Sequence, residues 1–366
     1  MTTGRRGILA AAVLALAGTG CGSQPPASAS MTDAPAQASA QAAATVTPPA
    51  MGSRQPAPLL VNGAIYFTDG AVNKFEDGEV LTDPALVAVD MAWSPDGQSL
   101  LHVGGQRDGP IFIANADGSD SRELVKGYHP AWSPDGSTVA FQRDRTELGS
   151  ESDIFLIGAD GSGERKLTDA TQYRATVPTW SADGLQVLYV RWPIDGSYDH
   201  PSHRSDVMAV NVEDGTENVV GQGETVTVSS DGQWLAVGQC NGLVIIDMAS
   251  GDERHELDAS CYRPAWSPDG TRLAYAVNDR VAVFDLRTGI ERLLPPVPTA
   301  VSVMSVTWSP DGSQIASATT VPCPSCWEGA QRGVLATQSA SGDAEPEILA
   351  AAPAPGSNVS WQPAEP

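Results

Sequence analysis

The hexapeptide "AWSPDG" occupies residues 92–97, and identical copies stand at 131–136 and 265–270. The pentapeptide "WSPDG", or a variant of it, recurs through most of the chain. Val228 opens one copy ("VSSDG"), and the other copies open with Trp93, Trp132, Trp180, Trp266, Trp308 and Trp361. Successive first positions are 39, 48, 48, 38, 42 and 53 residues apart. Such a period is typical of propeller blades or of helical arrays.

The sequence between the copies favours propeller blades. After each glycine comes an alternating run such as "STVAFQR" (137–143), then a second apolar run and a short charged one. Period-two patterning predicts strands, and the Asp-Gly, Ser-Gly and Thr-Gly pairs between the last two runs predict hairpin turns. With the strand that carries the tryptophan, each unit has four strands, as a propeller blade does.

Turn geometry and packing explain each residue of the pentapeptide. Proline presets φ, aspartate accepts local backbone N–H bonds, and glycine takes the left-handed conformation. Serine caps the same turn through its hydroxyl, and tryptophan supplies a large packing surface. We therefore assign the motif aspartates to the turn and not to catalysis.

On these motifs the chain resembles the TolB-like propellers, which are WD-repeat-like, over residues 59–363. The resemblance and the strand pattern predict an all-β fold, a seven-bladed β-propeller of four-stranded antiparallel blades. The first strands, from "AIYFTDG" (64–70), lack a preceding tryptophan strand, and "SNVSWQP" (357–363) lacks strands after it. We expect the C-terminal and N-terminal strands to pair and close the ring. An alternative register aligns "LLVNG" (59–63) with the pentapeptide.

The first 20 residues have the pattern of a signal peptide. An arginine pair precedes the apolar run 8–17, which is too short for a permanent membrane span. Sec and twin-arginine export both stay open. "LAGTGCGS" (16–23) resembles the lipobox of bacterial lipoproteins and predicts lipidation of Cys21, although Gly18 stands where that group usually has leucine. The alternative is ordinary cleavage nearby, with Cys21 incidental.

Residues 21–58 are mostly Ala, Pro, Ser, Thr and Gln, a composition that predicts a disordered tether. The formal net charge of the whole chain is −23, which argues against nucleic acid and anionic lipid as partners. We therefore expect membrane attachment through the lipid anchor alone. The predicted location is exported, on the outer leaflet of the cell membrane or in the periplasm, and the predicted state is a monomer.

The long irregular segments fall on the loops opposite the pentapeptide turns, where binding residues usually lie. The candidates for partner binding are Arg143, Arg145, Tyr173, Arg174, Arg191, Trp192, Asp199, His200, His203 and Trp327. Two alternatives stay open: the arginines could form intramolecular ion pairs, and the two histidines could be solvated or ligate a metal. We expect no metal and no cofactor.

Four cysteines follow Cys21. Cys240 and Cys261 are expected on the loop-rich rim at neighbouring blades, where a disulfide is plausible in an oxidising compartment. Cys323 and Cys326 form "CPSC", which we interpret as a structural disulfide. The alternatives for this pair are redox activity and half of a zinc site.

Contiguous enzyme motifs such as G-x-S-x-G, H-E-x-x-H and the P-loop do not occur in the sequence. We therefore expect no enzymatic activity and predict a tethered binding module that engages a protein, peptide or envelope component through its loop-rich rim. The alternative is a propeller enzyme, a lyase, lactonase or glycan hydrolase, with a site at the channel mouth. A third hypothesis is a structural scaffold, marked by apolar patches on the outer strands.

Overall fold

The computed structural model describes residues 65–68, 72–74, 88–104, 109–145, 151–169, 171, 173–194, 205–239, 242–259, 263–322, 331–352 and 359–363. All elements within these ranges are β-strands, so the all-β prediction is confirmed. No helix in this part of the chain could cross a membrane. The chain divides into Met1–Pro56 and Ala57–Pro366, and all described residues belong to the second unit. The boundaries at 20, 58 and 363 stay predictions.

The strands form successive antiparallel sheets along the chain. A three-stranded sheet joins the two ends and contains β1 (Ile65–Thr68), β2 (Val72–Lys74) and β27 (Val359–Trp361). The first four-stranded sheet contains β3 (Ala88–Trp93), β4 (Ser99–Gly104), β5 (Pro110–Asn115) and β6 (Arg122–Lys126).

Two further groups of four strands form one eight-stranded sheet. The first group is β7 (Tyr128–Trp132), β8 (Thr138–Asp144), β9 (Ser152–Gly158) and β10 (Arg165–Lys166). The second group is β11 (Tyr173–Trp180), β12 (Gln186–Pro193), β13 (Asp206–Asn211) and β14 (Glu217–Gln222). A parallel bridge between Arg174 and Ser152 joins the groups, so this sheet is mixed and departs from the prediction of purely antiparallel blades. The Ser152 hydroxyl supports the bridge by donating to the Ala175 carbonyl at 2.7 Å.

Three more four-stranded antiparallel sheets complete the described fold. One contains β15 (Thr225–Val228), β16 (Trp234–Gln239), β17 (Gly242–Asp247) and β18 (Glu253–Leu257). The next contains β19 (Ala265–Trp266), β20 (Arg272–Val277), β21 (Arg280–Asp285) and β22 (Ile290–Leu293). The last contains β23 (Ser302–Trp308), β24 (Gln314–Pro322), β25 (Gln331–Ser339) and β26 (Glu347–Ala352).

Apolar side chains are buried between each sheet and the next. Val103 and Ile111 pack with Phe141 and Ile157 of the following group. The same arrangement continues along the chain until Ala318 and Leu335 pack with Trp361 of β27. Burial of both faces explains why the middle strands are rich in Val, Ile and Leu.

The six complete pentapeptides fold into the same turn. In the first, the Ser94 hydroxyl donates to Asp96 at 2.6 Å and accepts the backbone N–H of Ser99 at 2.9 Å. The same serine–aspartate bond recurs at Asp135, Asp183, Asp231, Asp269 and Asp311. The serine bond and backbone N–H bonds lower the pKa of Asp96. These carboxylates are engaged within their own turns, in keeping with the structural interpretation.

Four motif tryptophans tie their strand group to the group before it. The indole N–H of Trp132 donates to the carbonyl of Ala92, the residue before Trp93, at 3.1 Å. Corresponding bonds join Trp180 to Ala131, Trp266 to Thr227 and Trp308 to Ala265, at 3.1, 3.3 and 2.8 Å. The repeated tryptophan is therefore both a packing surface and a directional hydrogen-bond donor.

The C-terminal residues contact the first four-stranded sheet. The Gln362 side chain donates to the Gly97 carbonyl at 2.9 Å, across 265 residues of sequence. Gly97 has a φ of +69°, and a Cβ there would lie 2.7 Å from the Pro363 carbonyl oxygen. The strand pairing of β1 with β27 is also what ring closure requires. Closure and a count of seven blades stay predictions.

We expect Gly97→Ala to destabilise the fold more than Gly215→Ala. Both glycines are left-handed, which costs an alanine about 1–2 kcal/mol, but a Cβ at Gly215 meets no atom within 4 Å. The contact with Pro363 should add about 1–3 kcal/mol at Gly97 alone. Denaturant unfolding of both variants measures the difference. Equal losses would show that the C-terminal contact is not held in solution.

Candidate functional site

In β3, β7, β11 and β23, the inner strand that ends at the pentapeptide's first residue has an irregularity shortly before that residue. We call the residue three before it the minus-three position. Register shifts span this position in β3, β7 and β11. His129 and Val177 stand there with φ values of 50° and 55°. Because the left-handed conformation recurs at a valine, it belongs to the bulge and is not by itself a mark of chemistry.

The bulges in β3 and β7 bring Asp90 and His129 together. The Asp90 Oδ2 lies 3.0 Å from the His129 Nδ1, and the two side chains are 15% and 35% exposed. The backbone N–H of Met91 donates to Oδ1 at 3.0 Å. These contacts form a partly buried carboxylate–imidazole pair that solvent can still reach.

Arg263 is the third member of the candidate site. It occupies the minus-three position before Trp266, and its side chain is exposed. Burial raises the pKa of Asp90, but the hydrogen bond from His129 and the positive charge of Arg263 outweigh it, and the pKa is lowered. The carboxylate is therefore ionised at neutral pH. Among the described residues, no carboxylate lies within salt-bridge distance of Arg263.

A buried polar network supports the bulge at His129. The Tyr128 ring lies 5.2 Å from the His129 ring, and its hydroxyl donates to Asp144. The Gln142 amide donates to the Tyr128 hydroxyl at 2.6 Å, and its oxygen accepts the backbone N–H of Val177 at 3.3 Å. Gln142 therefore connects the bulges of two neighbouring groups.

Sequence reasoning missed Asp90, His129 and Arg263, but two signals pointed to them. The first is the minus-three register itself, which places these residues at equivalent positions of three repeats. The second is Gln142, which is fully buried although the corresponding positions hold Val190, Ala276 and Ala318. A buried polar residue in an otherwise apolar pattern often marks a functional site.

Three of the predicted anchor arginines form intramolecular ion pairs. Arg143 contacts Glu164 at 2.6 Å. Arg145 donates twice to the buried Asp153, at 2.5 and 2.7 Å. Arg191 contacts Asp206 at 2.7 Å, and its guanidinium lies 4.6 Å from the centre of the Tyr173 ring. These contacts match the ion-pair alternative, and a binding role for the arginines stays a prediction.

The remaining predicted site residues have diverse placements. Trp192 packs on the cluster around Val226, and the Nε atom of Arg174 is buried without a hydrogen-bond partner. The other candidates lie outside the described residues: Cys21, Asp199, His200, His203, Cys240, Cys261, Cys323, Cys326 and Trp327. Within the described ranges, no group of three or more His, Cys, Asp or Glu side chains could hold a metal ion.

A pocket lies between the pentapeptide turns at Pro134 and Ala182. Its lining includes Asp135 and Asp183, whose carboxylates already accept from Ser133 and Ser181. This pocket therefore follows from the turn geometry and offers no free reactive group among the described residues.

Exposed apolar residues on the outer strands are scattered. Val219, Ile290, Leu293 and Ile348 are 49–60% exposed and lie on three different outermost strands. Isolated apolar residues are normal on soluble proteins. The described surface thus gives little support to the scaffold hypothesis.

His102 gives a pH prediction. Its side chain is 1% exposed, stacks on Phe112 and has a pKa lowered to about 4 by burial. As pH falls below about 6.5, the histidine is protonated in the unfolded chain but stays neutral in the folded chain. The free energy of unfolding therefore decreases with falling pH until about pH 4, where the folded chain is protonated too. The loss attributable to His102 should reach roughly 3 kcal/mol.

Denaturant unfolding at pH 7 and pH 5 tests this prediction. The acid-induced loss should be smaller in His102→Leu than in the wild type, by roughly 2 kcal/mol between these pH values. His255→Leu serves as a control at a partly buried histidine of β18. Identical pH dependence in wild type and His102→Leu would contradict the prediction.

Comparison with known proteins gives relatives for parts of the chain. No protein-family model matches it. The uncharacterised peptidase YuxL of Bacillus subtilis is 30% identical over 210 residues, 53% of this chain and 30% of the relative. The Tol-Pal system protein TolB of Anaeromyxobacter dehalogenans is 33% identical over 107 residues, 28% of this chain and 24% of the relative. The chain thus spans less than a third of either relative.

Solved structures share the fold. An oligogalacturonate lyase in complex with manganese has a TM-score of 0.57 at 14% identity, covering 79% of this chain and 86% of that one. A prolyl endopeptidase structure has a TM-score of 0.52 at 14% identity, covering 72% of this chain and 43% of that one. At this identity the likeness concerns the fold alone.

These findings correct our expectation of no enzymatic activity. The similar proteins are named as a peptidase, a lyase and prolyl endopeptidases, so propellers related to this one belong to enzymes. The expectation failed because it relied on contiguous motifs, whereas residues that converge in a propeller come from repeats about forty positions apart. The match to TolB supports the resemblance to the TolB-like propellers over the 107 residues that align.

Proposed function

We propose that this chain is an exported propeller enzyme whose active site lies in a central channel at the minus-three positions. The observation that supports it most strongly is the Asp90–His129 pair with Arg263 acting on the same carboxylate. Three residues of different repeats, capable of proton transfer and of anion binding, share one register. Active-site residues of this kind commonly gather where groups perturb one another's charge.

A closed ring of seven blades would place these residues around one channel. Seven strand groups follow one another, counting β1, β2 and β27 as one. The inner strands contact one another in succession from β3 to β7 and on to β27. The bond from Gln362 to Gly97 supports closure between the two ends.

The chemistry we propose at this site is general base catalysis by His129. Since the ionised Asp90 carboxylate can only accept, the hydrogen of a neutral imidazole lies on Nδ1, which leaves Nε2 free to take a proton. The negative charge of Asp90 would then stabilise the imidazolium that forms. Arg263 would hold a substrate group of negative charge nearby.

No step of this proposal uses a metal. The oligogalacturonate lyase of similar fold was solved with manganese. In this chain, the described residues of the candidate site offer one carboxylate and one imidazole, and the described part of the chain contains no cluster of three such ligands. The described donor set therefore does not fit a manganese site.

Turnover by the purified mature chain tests the proposed function. The assays would use oligogalacturonate, detected by the ultraviolet absorbance of an unsaturated product, and a proline-containing peptide, detected by release of its amine. Turnover of either substrate at a rate above that of an Asp90→Asn, His129→Asn double variant would support an enzyme. Equal rates with wild type and double variant on every substrate would overturn it.

A second candidate is a propeller that serves a peptidase by admitting or binding peptides. The similarity to YuxL favours it, because that match covers about half of this chain. If the purified mature chain binds peptides without turning them over, this function would be supported over the propeller enzyme. Partner binding within the cell envelope through the loop-rich rim is consistent with either function.

Export and lipid anchoring at Cys21 remain part of the proposal. The signal pattern of residues 1–20 and the small residues before Cys21 support it. Intact mass of the detergent-extracted protein should show the added acyl chains. Cys21→Ala protein should leave the membrane fraction, and retention there would show that the anchor has been misassigned.

A further inference from the structure

We infer that Arg263 is a carboxylate-binding residue of the channel site, and that the ligand of this protein carries a single carboxylate at the end that enters the site. The inference rests on the proposed function and names its substrate class. A sugar acid and the C-terminus of a peptide share this chemistry. The argument comes from the charge, the pairing and the register of Arg263.

Arg263 is an exposed cation on an acidic chain. The chain has 21 Lys and Arg residues against 44 Asp and Glu, so carboxylates outnumber cations about two to one. Arg143, Arg145 and Arg191 are each paired with a carboxylate. Arg263 is exposed, and among the described residues no carboxylate lies within salt-bridge distance of it. A ligand can therefore reach its guanidinium from solvent.

The register places this cation across from the proton-transfer pair. Asp90 and His129 belong to neighbouring sheets and touch at 3.0 Å, so minus-three side chains of adjacent groups can meet. Arg263 lies just before β19, in a group that does not neighbour theirs, and yet its charge lowers the pKa of Asp90. Arg263 and Asp90 thus influence each other without forming an ion pair.

The surroundings select a carboxylate over a more highly charged anion. A planar guanidinium binds a carboxylate through two parallel hydrogen bonds. Asp90 interacts electrostatically with Arg263, and the net charge of −23 repels polyanions. A phosphate dianion would meet stronger repulsion from both. A carboxylate on Arg263 would also hold its neighbouring C–H or N–H protons towards His129.

Direct binding tests the inference with the mature chain and four probes. Isothermal titration would compare galacturonate with galactose, and a blocked dipeptide acid with its amide. For at least one pair, the acid should bind about 10- to 100-fold more tightly than its neutral partner, as expected for hydrogen bonds to charged groups. Preference in the first pair alone identifies a sugar acid as the source, and in the second pair alone a peptide end.

Variants assign the preference to Arg263. Arg263→Gln should abolish it and Arg263→Lys should retain part of it, because lysine keeps the charge without the paired donors. Arg287→Gln makes the same charge change at an exposed arginine in the turn between β21 and β22, and it should keep the preference. No preference in the wild type, or equal loss in Arg263→Gln and Arg287→Gln, would overturn the inference.

The same titration separates this inference from the proposed function. His129→Asn should lose turnover but keep the carboxylate preference, since it leaves Arg263 in place. If His129→Asn retains turnover while Arg263→Gln loses the preference, the proposed base is wrong and the carboxylate site stands. If His129→Asn loses turnover and Arg263→Gln keeps the preference, the base stands and the inference about Arg263 is wrong.

Discussion

Replacing His129 with asparagine is expected to lower kcat/KM by about 10²–10⁴-fold, because the site loses its general base. Asparagine tolerates the left-handed conformation that His129 adopts, with φ of 50°, so the bulge should survive. The measurement is steady-state kinetics on whichever substrate the turnover assays identify. Thermal unfolding of the same variant would confirm that the fold is retained.

Asp90→Asn completes this prediction. It keeps a side chain of the same shape beside the His129 Nδ1 but removes the negative charge that favours the imidazolium. We expect a loss of kcat that is smaller than the loss in His129→Asn. Val177→Ala, at the minus-three position of the next group, is the control and should keep wild-type kinetics. Wild-type rates in His129→Asn would exclude the proposed base.

Trp308→Ala is expected to lower the free energy of unfolding by about 3–5 kcal/mol. The side chain is 5% exposed and packs in the cluster that includes Ala274 and Val283 of the preceding sheet. The Arg272 guanidinium lies 4.6 Å from the ring centre on one side. Truncation would leave a cavity between two sheets, which a rigid pair of sheets cannot easily close.

Trp308→Phe separates packing from hydrogen bonding. Phenylalanine retains most of the packed surface but loses the indole N–H that donates to Ala265 at 2.8 Å. Its loss should be about 0.5–1.5 kcal/mol, the net contribution of one hydrogen bond. Denaturant unfolding with linear extrapolation measures both variants. A loss below about 1 kcal/mol in Trp308→Ala would contradict the prediction that these interfaces depend on the tryptophans.

Much of the fold could be predicted because its determinants are local. The turn at Ser94 and Asp96 closes through bonds within six residues, and the strands after it alternate as the sequence does. The parallel bridge at Arg174 could not be predicted, since it depends on how two groups of strands approach each other. Sequence patterns carry no signal for such a contact between repeats.

The candidate site was harder to predict for a related reason. Asp90, His129 and Arg263 lie within ordinary strand or loop sequence, and each is inconspicuous alone. Their convergence depends on bulges that bring inner-strand side chains together. The sequence search instead selected loop arginines, three of which are paired within the chain. A comparison of equivalent positions in the aligned repeats does single out Asp90, His129 and Arg263.

The indole bonds between successive sheets have a consequence for how the protein folds. They join residues 39 to 49 positions apart, whereas Gln362 reaches Gly97 across 265. The sequence separation is therefore short for contacts between successive repeats and long for the contact between the two ends of the described fold. We expect the contact between the two ends to form last. If the chain is exported unfolded, each repeat can pack on the preceding repeat as it emerges. Folding is then completed only when the C-terminal strand has been exported.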